Sequence, residues 1–231
     1  MFIGHYGVGL AAKSFAPKTS LGTLMVAALF PDVLWIIFAY AGVEHVAIKP
    51  GITVVNALDL YDIPLSHSLL MDVVWAAIFA SVYFGFRRYS RGAGVVFAAV
   101  LSHWLLDFIA HRPDMPLAPG VHALFGLGLW NSRVATFAVE GGLWVAGIIL
   151  YLRTTRPVSR TGFYGFWIIV VLLTTLWKLS LRGTPPPSLE AMKIGNLLIF
   201  AITLAWAYWM DRVRPATETN HQGRETAAAN I

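Results

Sequence analysis

The stretch that decides how this chain folds is Leu101-Ser102-His103-Trp104-Leu105-Leu106-Asp107-Phe108-Ile109-Ala110-His111-Arg112-Pro113-Asp114. On a helix, His103, Asp107 and His111 fall at i, i+4 and i+8, so their side chains share one face. The residues between them are apolar or aromatic. Two imidazoles and a carboxylate are costly to bury in such surroundings unless they are paired or bind a metal. The pattern therefore favours either a divalent-metal site or a polar network between helices.

The composition is that of an integral membrane protein. Of 231 residues, 57% are hydrophobic and 13% are charged, and the mean hydropathy is +0.65, whereas soluble domains carry roughly 25% charged residues. Cysteine is absent, so any metal must be held by His, Asp, Glu or carbonyl oxygens. The net charge of +5 comes from short basic clusters between apolar runs, which is typical of topology signals and lipid headgroup contacts, not of nucleic-acid binding.

The apolar runs predict an all-α, multi-pass transmembrane helical bundle in one domain over residues 1–210. We expect about six spans, at 21–42, 66–86, 93–110, 135–152, 163–181 and 194–210. Pro31 lies at the centre of the first span and should break it into halves, and Ser66 is the expected N-cap of the second. Residues 1–12 are shorter than the roughly 20 that span a bilayer, so they predict a short interfacial or re-entrant helix. Residues 211–231 predict a polar, disordered tail.

The basic residues predict the orientation. They cluster around Lys13 and Lys18, in 87–91, in 153–160 and in 212–224. With about six spans, these clusters fall on one side, which the positive-inside rule makes cytoplasmic. Both termini are then predicted to be cytoplasmic, and the His/Asp motif lies in the outer half of the membrane.

Ionisable residues inside apolar spans are functional candidates. Those of this chain are Asp32, His67, Asp72, His103, Asp107, His111 and Glu140. A catalytic metal site keeps an open position for water, and a spare carboxylate can act as general base; Asp32 and Asp114 are the candidates for that role. Plainer interpretations stay open, because Asp32 can cap a half-helix, His67 can be interfacial, and Asp72 and Glu140 are isolated enough to be structural.

Four pieces of the first half of the chain resemble the YdjM family of inner-membrane, LexA-regulated proteins, which are described as metal-dependent hydrolases. They are Gly4-His5-Tyr6-Gly7-Val8-Gly9, Leu29-Phe30-Pro31-Asp32, Ser66-His67-Ser68-Leu69-Leu70 and His103-Trp104-Leu105-Leu106-Asp107. Four weak motifs in the right order are moderately specific. The resemblance implies a bacterial cytoplasmic membrane and metal ligands at His5, Asp32, His67, His103 and Asp107. Leu34 stands where that family usually has a second acid.

The same order of His and Asp residues is more distantly similar to that of zinc-dependent phospholipase C and related nucleases. That similarity implies cleavage of a phosphodiester and a substrate among lipids or lipid-linked phosphoesters, although the second His-x-x-x-Glu of those enzymes is missing. Arg112 is then a candidate for contact with a headgroup phosphate.

Together these observations predict a membrane-bound metal-dependent hydrolase that binds zinc, or alternatively manganese, through His5, Asp32, His67, His103, Asp107 and His111. Its expected partner is membrane lipid. Two alternatives use the same residues. A transporter would use them as an ion or proton path, and a non-catalytic membrane scaffold would use them as a structural polar network.

Overall fold

Eight α-helices form a bundle in residues 1–217, the part of the chain that the computed structural model describes. They are α1 (Ile3–Phe15), α2 (Leu21–Ala28), α3 (Phe30–Tyr40), α4 (Leu69–Arg87), α5 (Ser90–Ala110), α6 (Arg133–Thr154), α7 (Arg160–Ser180) and α8 (Leu189–Val213). Two short antiparallel hairpins connect helices, one of β1 (His45–Ile48) with β2 (Leu58–Asp62) and one of β3 (Met115–Pro116) with β4 (Leu124–Phe125). The all-α bundle predicted from the sequence is confirmed.

Five helices, α4 to α8, are long and apolar enough to cross a membrane. The pair of α2 and α3 is a sixth candidate and is bent by 59°, where Pro31 was expected to break the span. The backbone N–H of Leu21 donates to Asp211 near the end of α8, and Tyr40 donates to Glu190 near its start. The pair therefore runs the length of α8, as a broken span would. Apolar side chains on the outside of the bundle, such as Phe86 and Ile168, are exposed, which suits contact with lipid.

The short first helix is buried inside the bundle. His5, Leu10 and Lys13 are almost fully inaccessible. Two glycines let α1 approach α6 at backbone distance: a Cβ on Gly7 would lie 2.7 Å from the carbonyl oxygen of Leu143, and a Cβ on Gly147 would overlap the carbonyl oxygen of Gly7. Small residues permit such close packing of helices in membranes. Helix α1 is therefore an internal helix and does not lie on the surface as an interfacial helix would. The other alternative, a re-entrant helix, stays a prediction.

The start of α4 differs from the prediction because of side-chain hydrogen bonds. Helix α4 is capped by Ser68, whose Oγ accepts from the backbone N–H of Met71; Ser66 lies before the helix and binds Glu44 instead. Helix α5 ends at Ala110, so His111 follows the helix and does not continue its face.

The first three residues of the predicted tail, 211–213, belong to helix α8. Helix α8 continues through Asp211 to Val213, and Arg214 donates to the Thr155 hydroxyl over 2.9 Å. The tail from residue 218 onward lies outside the described residues.

The basic segments meet at one end of the bundle, which we call the basic end. Lys13 pairs with Asp211 at 2.8 Å, and the Thr19 and Tyr83 hydroxyls are hydrogen-bonded at 2.8 Å. The Arg156 backbone N–H donates to the carbonyl of Pro215. This arrangement agrees with the predicted grouping of the basic clusters, and the cytoplasmic position of this end stays a prediction.

Candidate metal centre

The six side chains predicted as metal ligands converge in one cluster, which we call the His/Asp cluster. They come from five places: His5 from α1, Asp32 from the first turn of α3, His67 from the segment before α4, His103 and Asp107 from α5, and His111 from the residue after α5. The break between α2 and α3 matters here because it places Asp32 at a helix N-terminus, where a carboxylate is favourable.

Asp107 lies at the centre of the cluster. One carboxylate oxygen, Oδ2, is 3.2 Å from His103 Nε2 and 3.7 Å from His67 Nε2. The other, Oδ1, is 3.0 Å from His5 Nε2 and 3.8 Å from His111 Nε2, and it also contacts the backbone nitrogen of Met1. Asp107 is 2% exposed, so its charge must be compensated inside the protein.

Asp32 is the second carboxylate of the cluster and the more accessible one. Its Oδ1 lies 3.6 Å from His67 Nε2 and 3.7 Å from His103 Nε2, and its side chain is 44% exposed. Two sets of side chains offer ligand atoms that lie within 4.8 Å of one another: His5, His103 and Asp107, and Asp32, His67 and His103. Either set could hold a metal ion, and His103 belongs to both.

A hydrogen-bonded chain behind His67 fixes which of its nitrogens faces the cluster. Glu44 is 2% exposed, and it accepts from the backbone N–H groups of Leu65 and Ser66 and from the Ser66 hydroxyl at 2.5 Å. Since an ionised carboxylate can only accept, the Ser66 hydroxyl donates its proton to Glu44 and must accept from His67 Nδ1, 2.7 Å away. In the neutral ring this leaves His67 Nε2 as the unprotonated nitrogen, and it faces Asp32 and Asp107.

His103 and His111 are held in the same way. His103 Nδ1 donates to the carbonyl of Ala28 over 2.9 Å, at the break between α2 and α3. His111 Nδ1 donates to Asp114 Oδ1 over 2.9 Å. His103 Nε2 is buried and has no hydrogen-bond partner within residues 1–217. Metal-binding histidines are held in this manner, with the second ring nitrogen donating to a carboxylate or a carbonyl.

His5 completes the cluster by stacking on His103. The two imidazole rings are nearly parallel, and their centroids are 3.7 Å apart. Its Nδ1 is buried and has no hydrogen-bond partner in the described part of the chain. The close packing of α1 against α6 brings His5 to the cluster. His5 therefore reaches the other predicted ligands because α1 lies inside the bundle.

Asp107 Oδ1 accepts from the Met1 nitrogen. Otherwise acceptors face acceptors, because the Nε2 atoms of His67, His103 and His111, unprotonated in the neutral rings, point at carboxylate oxygens. Such an arrangement is repulsive unless a cation lies among these atoms or the imidazoles take up protons. Nitrogen from His and oxygen from Asp are ligands that suit zinc and manganese. The residues present therefore fit a divalent cation.

Two other sequence candidates lie behind the cluster. Asp114 binds His111 through Oδ1, and its Oδ2 lies 3.3 Å from Arg112 Nε, so it orients His111. Arg112 also pairs with Asp59 on β2. Its guanidinium therefore contacts two carboxylates, and contact of Arg112 with a phosphate stays a prediction.

Glu140 and Asp72 are buried outside the two ligand sets. Glu140 accepts from the backbone N–H of Ile3 and from Trp130 Nε1, so it secures the start of α1. Asp72 accepts weakly from the backbone N–H of Trp104, at 3.4 Å. Both contacts agree with the structural interpretation of these residues.

Glu44 is the functional candidate that the sequence did not reveal. It lies in a connecting segment and is 22 residues away from its partner Ser66, so no helical spacing relates it to the motif. An acid in a segment with few charged neighbours is a weak signal by itself.

The chain has no match among protein-family models, curated proteins or solved structures.

Proposed function

We propose that this protein is a membrane-embedded, metal-dependent hydrolase whose centre is the His/Asp cluster. The observation that carries the proposal is the orientation of three histidines. His67, His103 and His111 each engage Nδ1 with an acceptor outside the cluster and turn Nε2 toward Asp32 or Asp107. A purely structural network would instead be expected to use both ring nitrogens in hydrogen bonds.

The proposed ligands are His5, His67, His103, His111 and Asp107, with Asp32 as the carboxylate that also reaches the cavity beside the cluster. When bound there, a divalent cation supplies Lewis acidity, which polarises an ester oxygen and makes water more acidic. Asp32 is placed to accept a proton from an attacking water, because it is the most accessible acid of the cluster. Glu44, Ser66, Ala28 and Asp114 hold the histidines in the tautomer that exposes Nε2.

The finer assignments also belong to this proposal. Zinc is the proposed metal because the ligands are imidazoles and carboxylates, and manganese is the alternative. A phosphoester carried by a lipid is the proposed substrate, since the cluster lies inside a bundle suited to membranes. Membership of the YdjM family and a bacterial inner-membrane location with cytoplasmic termini agree with the motifs and with the grouping of basic residues.

Metal counting tests the proposal first. The purified protein in mild detergent should contain stoichiometric zinc or manganese by mass spectrometry, and His103→Ala and Asp107→Ala should each lose it. His122→Ala is the matched control, because His122 is exposed in a loop and its removal should leave the metal content unchanged.

Turnover is the second test. Phospholipid vesicles that contain the wild type should release a headgroup product of phosphoester hydrolysis, and vesicles that contain His103→Ala should not. A folded wild type that binds no metal after reconstitution with zinc or manganese would contradict the proposal and favour a structural polar network. Metal binding accompanied by ion uptake into vesicles, without any product, would favour the transporter.

A further inference from the structure

A cavity of about 480 Å³ adjoins the His/Asp cluster between α3, α7 and α8. Its walls are mainly apolar and include Trp35, Ile36, Leu176, Trp177, Ile199 and Phe200. Its volume lies within the roughly 300–1,000 Å³ of typical small-molecule pockets. The cavity is therefore large enough to hold a ligand and is larger than a packing defect.

The Asp, Glu and His side chains of the cavity are concentrated at one place. Asp32, His67, Asp107 and His111 line it where it meets the cluster, and Glu140 lies beside them. A ligand that matches this lining has one compact polar group, placed at the cluster, and an apolar remainder. Water would hydrate the apolar walls poorly, so a hydrocarbon occupant is favoured there.

Helices α7 and α8 separate around the cavity. Near the basic end they are in contact, since Trp206 Nε1 donates to the carbonyl of Gly165 over 2.9 Å. The buried residues of α8 all lie in this half of the helix and are Thr203, Trp206, Ala207 and Met210. Toward the opposite end, the cavity lies between Ser180 of α7 and Asn196 of α8.

On its side away from α7, the first part of α8 contacts α3. Tyr40 donates to Glu190 over 3.0 Å, and Lys193 Nζ lies 4.0 Å above the Tyr40 ring. The separation between α7 and α8 is therefore the side that faces the surroundings. Gly195 lines the cavity there, is exposed, and has no atom within 4 Å of where a Cβ would stand. The neighbouring Leu198 and Ile202 are exposed apolar side chains that suit lipid.

We infer that this cavity binds one hydrocarbon chain of a membrane lipid, which enters between α7 and α8 and places its phosphorylated headgroup at the His/Asp cluster. The position of the headgroup rests on the proposed function, whereas the position of the chain rests on the cavity itself. The substrate class is accordingly a phospholipid or another phosphorylated lipid taken directly from the membrane, not a water-soluble phosphoester.

Photo-crosslinking tests the inference. The full chain is reconstituted in vesicles of phosphatidylglycerol that carries a diazirine at the end of one acyl chain, and the adducts are mapped by peptide mass spectrometry. We expect adducts on Trp177 and Phe200 inside the cavity, together with adducts on outward-facing residues such as Leu198. Trp177 is a selective reporter because it is 3% exposed.

Two variants narrow the proposed opening. Gly195→Trp and Ser180→Trp should each lower the adducts inside the cavity about tenfold, the loss expected when roughly two methylene groups no longer fit. Gly94→Trp is the matched control: Gly94 is an exposed helical glycine on α5 that also has no neighbour within 4 Å. That variant should leave the adducts unchanged, and adducts on Leu198 should stay constant in all variants.

The possible outcomes separate this inference from the proposed function. Adducts confined to outward-facing residues, or cavity adducts undiminished in both narrowing variants, would overturn it even if the protein binds metal. If His103→Ala keeps the cavity adducts and the wild type binds no metal, the lipid chain is placed correctly and the hydrolase proposal fails.

Discussion

At the residue scale, the direction of a few hydrogen bonds decides what the cluster can bind. The relay from Glu44 through Ser66 to His67 determines where one proton resides. An amide in place of the Glu44 carboxylate can donate to Ser66, which frees the hydroxyl proton to be given to His67 Nδ1. The second nitrogen of His67 would then carry the proton and could not bind a cation.

Glu44→Gln should therefore weaken metal binding without unfolding the protein. The expected loss is about 10- to 100-fold in affinity, as is typical for groups that orient a metal ligand. Competition with a chromophoric zinc chelator measures the change. Asp62→Asn is the control, since Asp62 is an exposed acid that pairs with His45; equal affinities for the two variants would show that Glu44 does not act on His67.

Individual residues of the cluster differ in how well the sequence predicts them. His103 and Asp107 can be recognised from the sequence, because residues four positions apart on an apolar helix lie on the same face. Glu44 has no such signal, and neither does the carbonyl of Ala28, which is available to His103 through the break before α3. The position of His111 was predicted on the helix face although α5 ends before it; its ring nonetheless reaches the cluster.

At the scale of elements, α1 determines whether the cluster is complete. Gly7 lies against the backbone of α6, and this contact brings His5 close to Asp107. The sequence indicated a short apolar helix correctly, but it could not show that the helix is internal, since the partner glycine lies about 140 positions later in the chain.

Gly147→Ala should loosen this contact. The added methyl group would meet the Gly7 carbonyl, and overpacking of this kind costs about 1–3 kcal/mol. We expect a lower thermal midpoint in detergent and weaker metal binding through displacement of His5. Gly142→Ala on the same helix adds the same methyl where no atom lies within 4 Å, so it should be neutral or slightly stabilising. Equal midpoints would contradict backbone contact between α1 and α6.

At the scale of the whole molecule, the bent pair of α2 and α3 and the five long apolar helices run alternately between the basic end and the opposite end. The apolar runs predicted these helices within a few residues of their ends, because length and hydropathy alone define a candidate span. The two hairpins and the cavity were not predicted. They depend on contacts between distant segments, such as the packing of Trp35 with Leu60 and Ile63.

The absence of cysteine from the sequence makes the orientation directly testable. Val158→Cys lies at the basic end and Val121→Cys in the loop at the opposite end, and both positions are exposed. A membrane-impermeant maleimide should label the first from the cytoplasmic side and the second from the outside. The unmodified protein serves as the unlabelled control, and labelling of both positions from the same side would contradict a membrane crossing by α6.

The His/Asp cluster and much of the cavity wall come from different parts of the chain, and this has a consequence for how the sequence of such a protein can evolve. The His and Asp side chains of the cluster all come from positions 5 to 111, whereas α7 and α8 supply much of the cavity wall. Alterations in the last two helices could adapt the protein to a longer, shorter or more branched chain while the reactive centre stays intact. In the proposed hydrolase, substrate preference and reaction chemistry would then be free to diverge independently within one polypeptide.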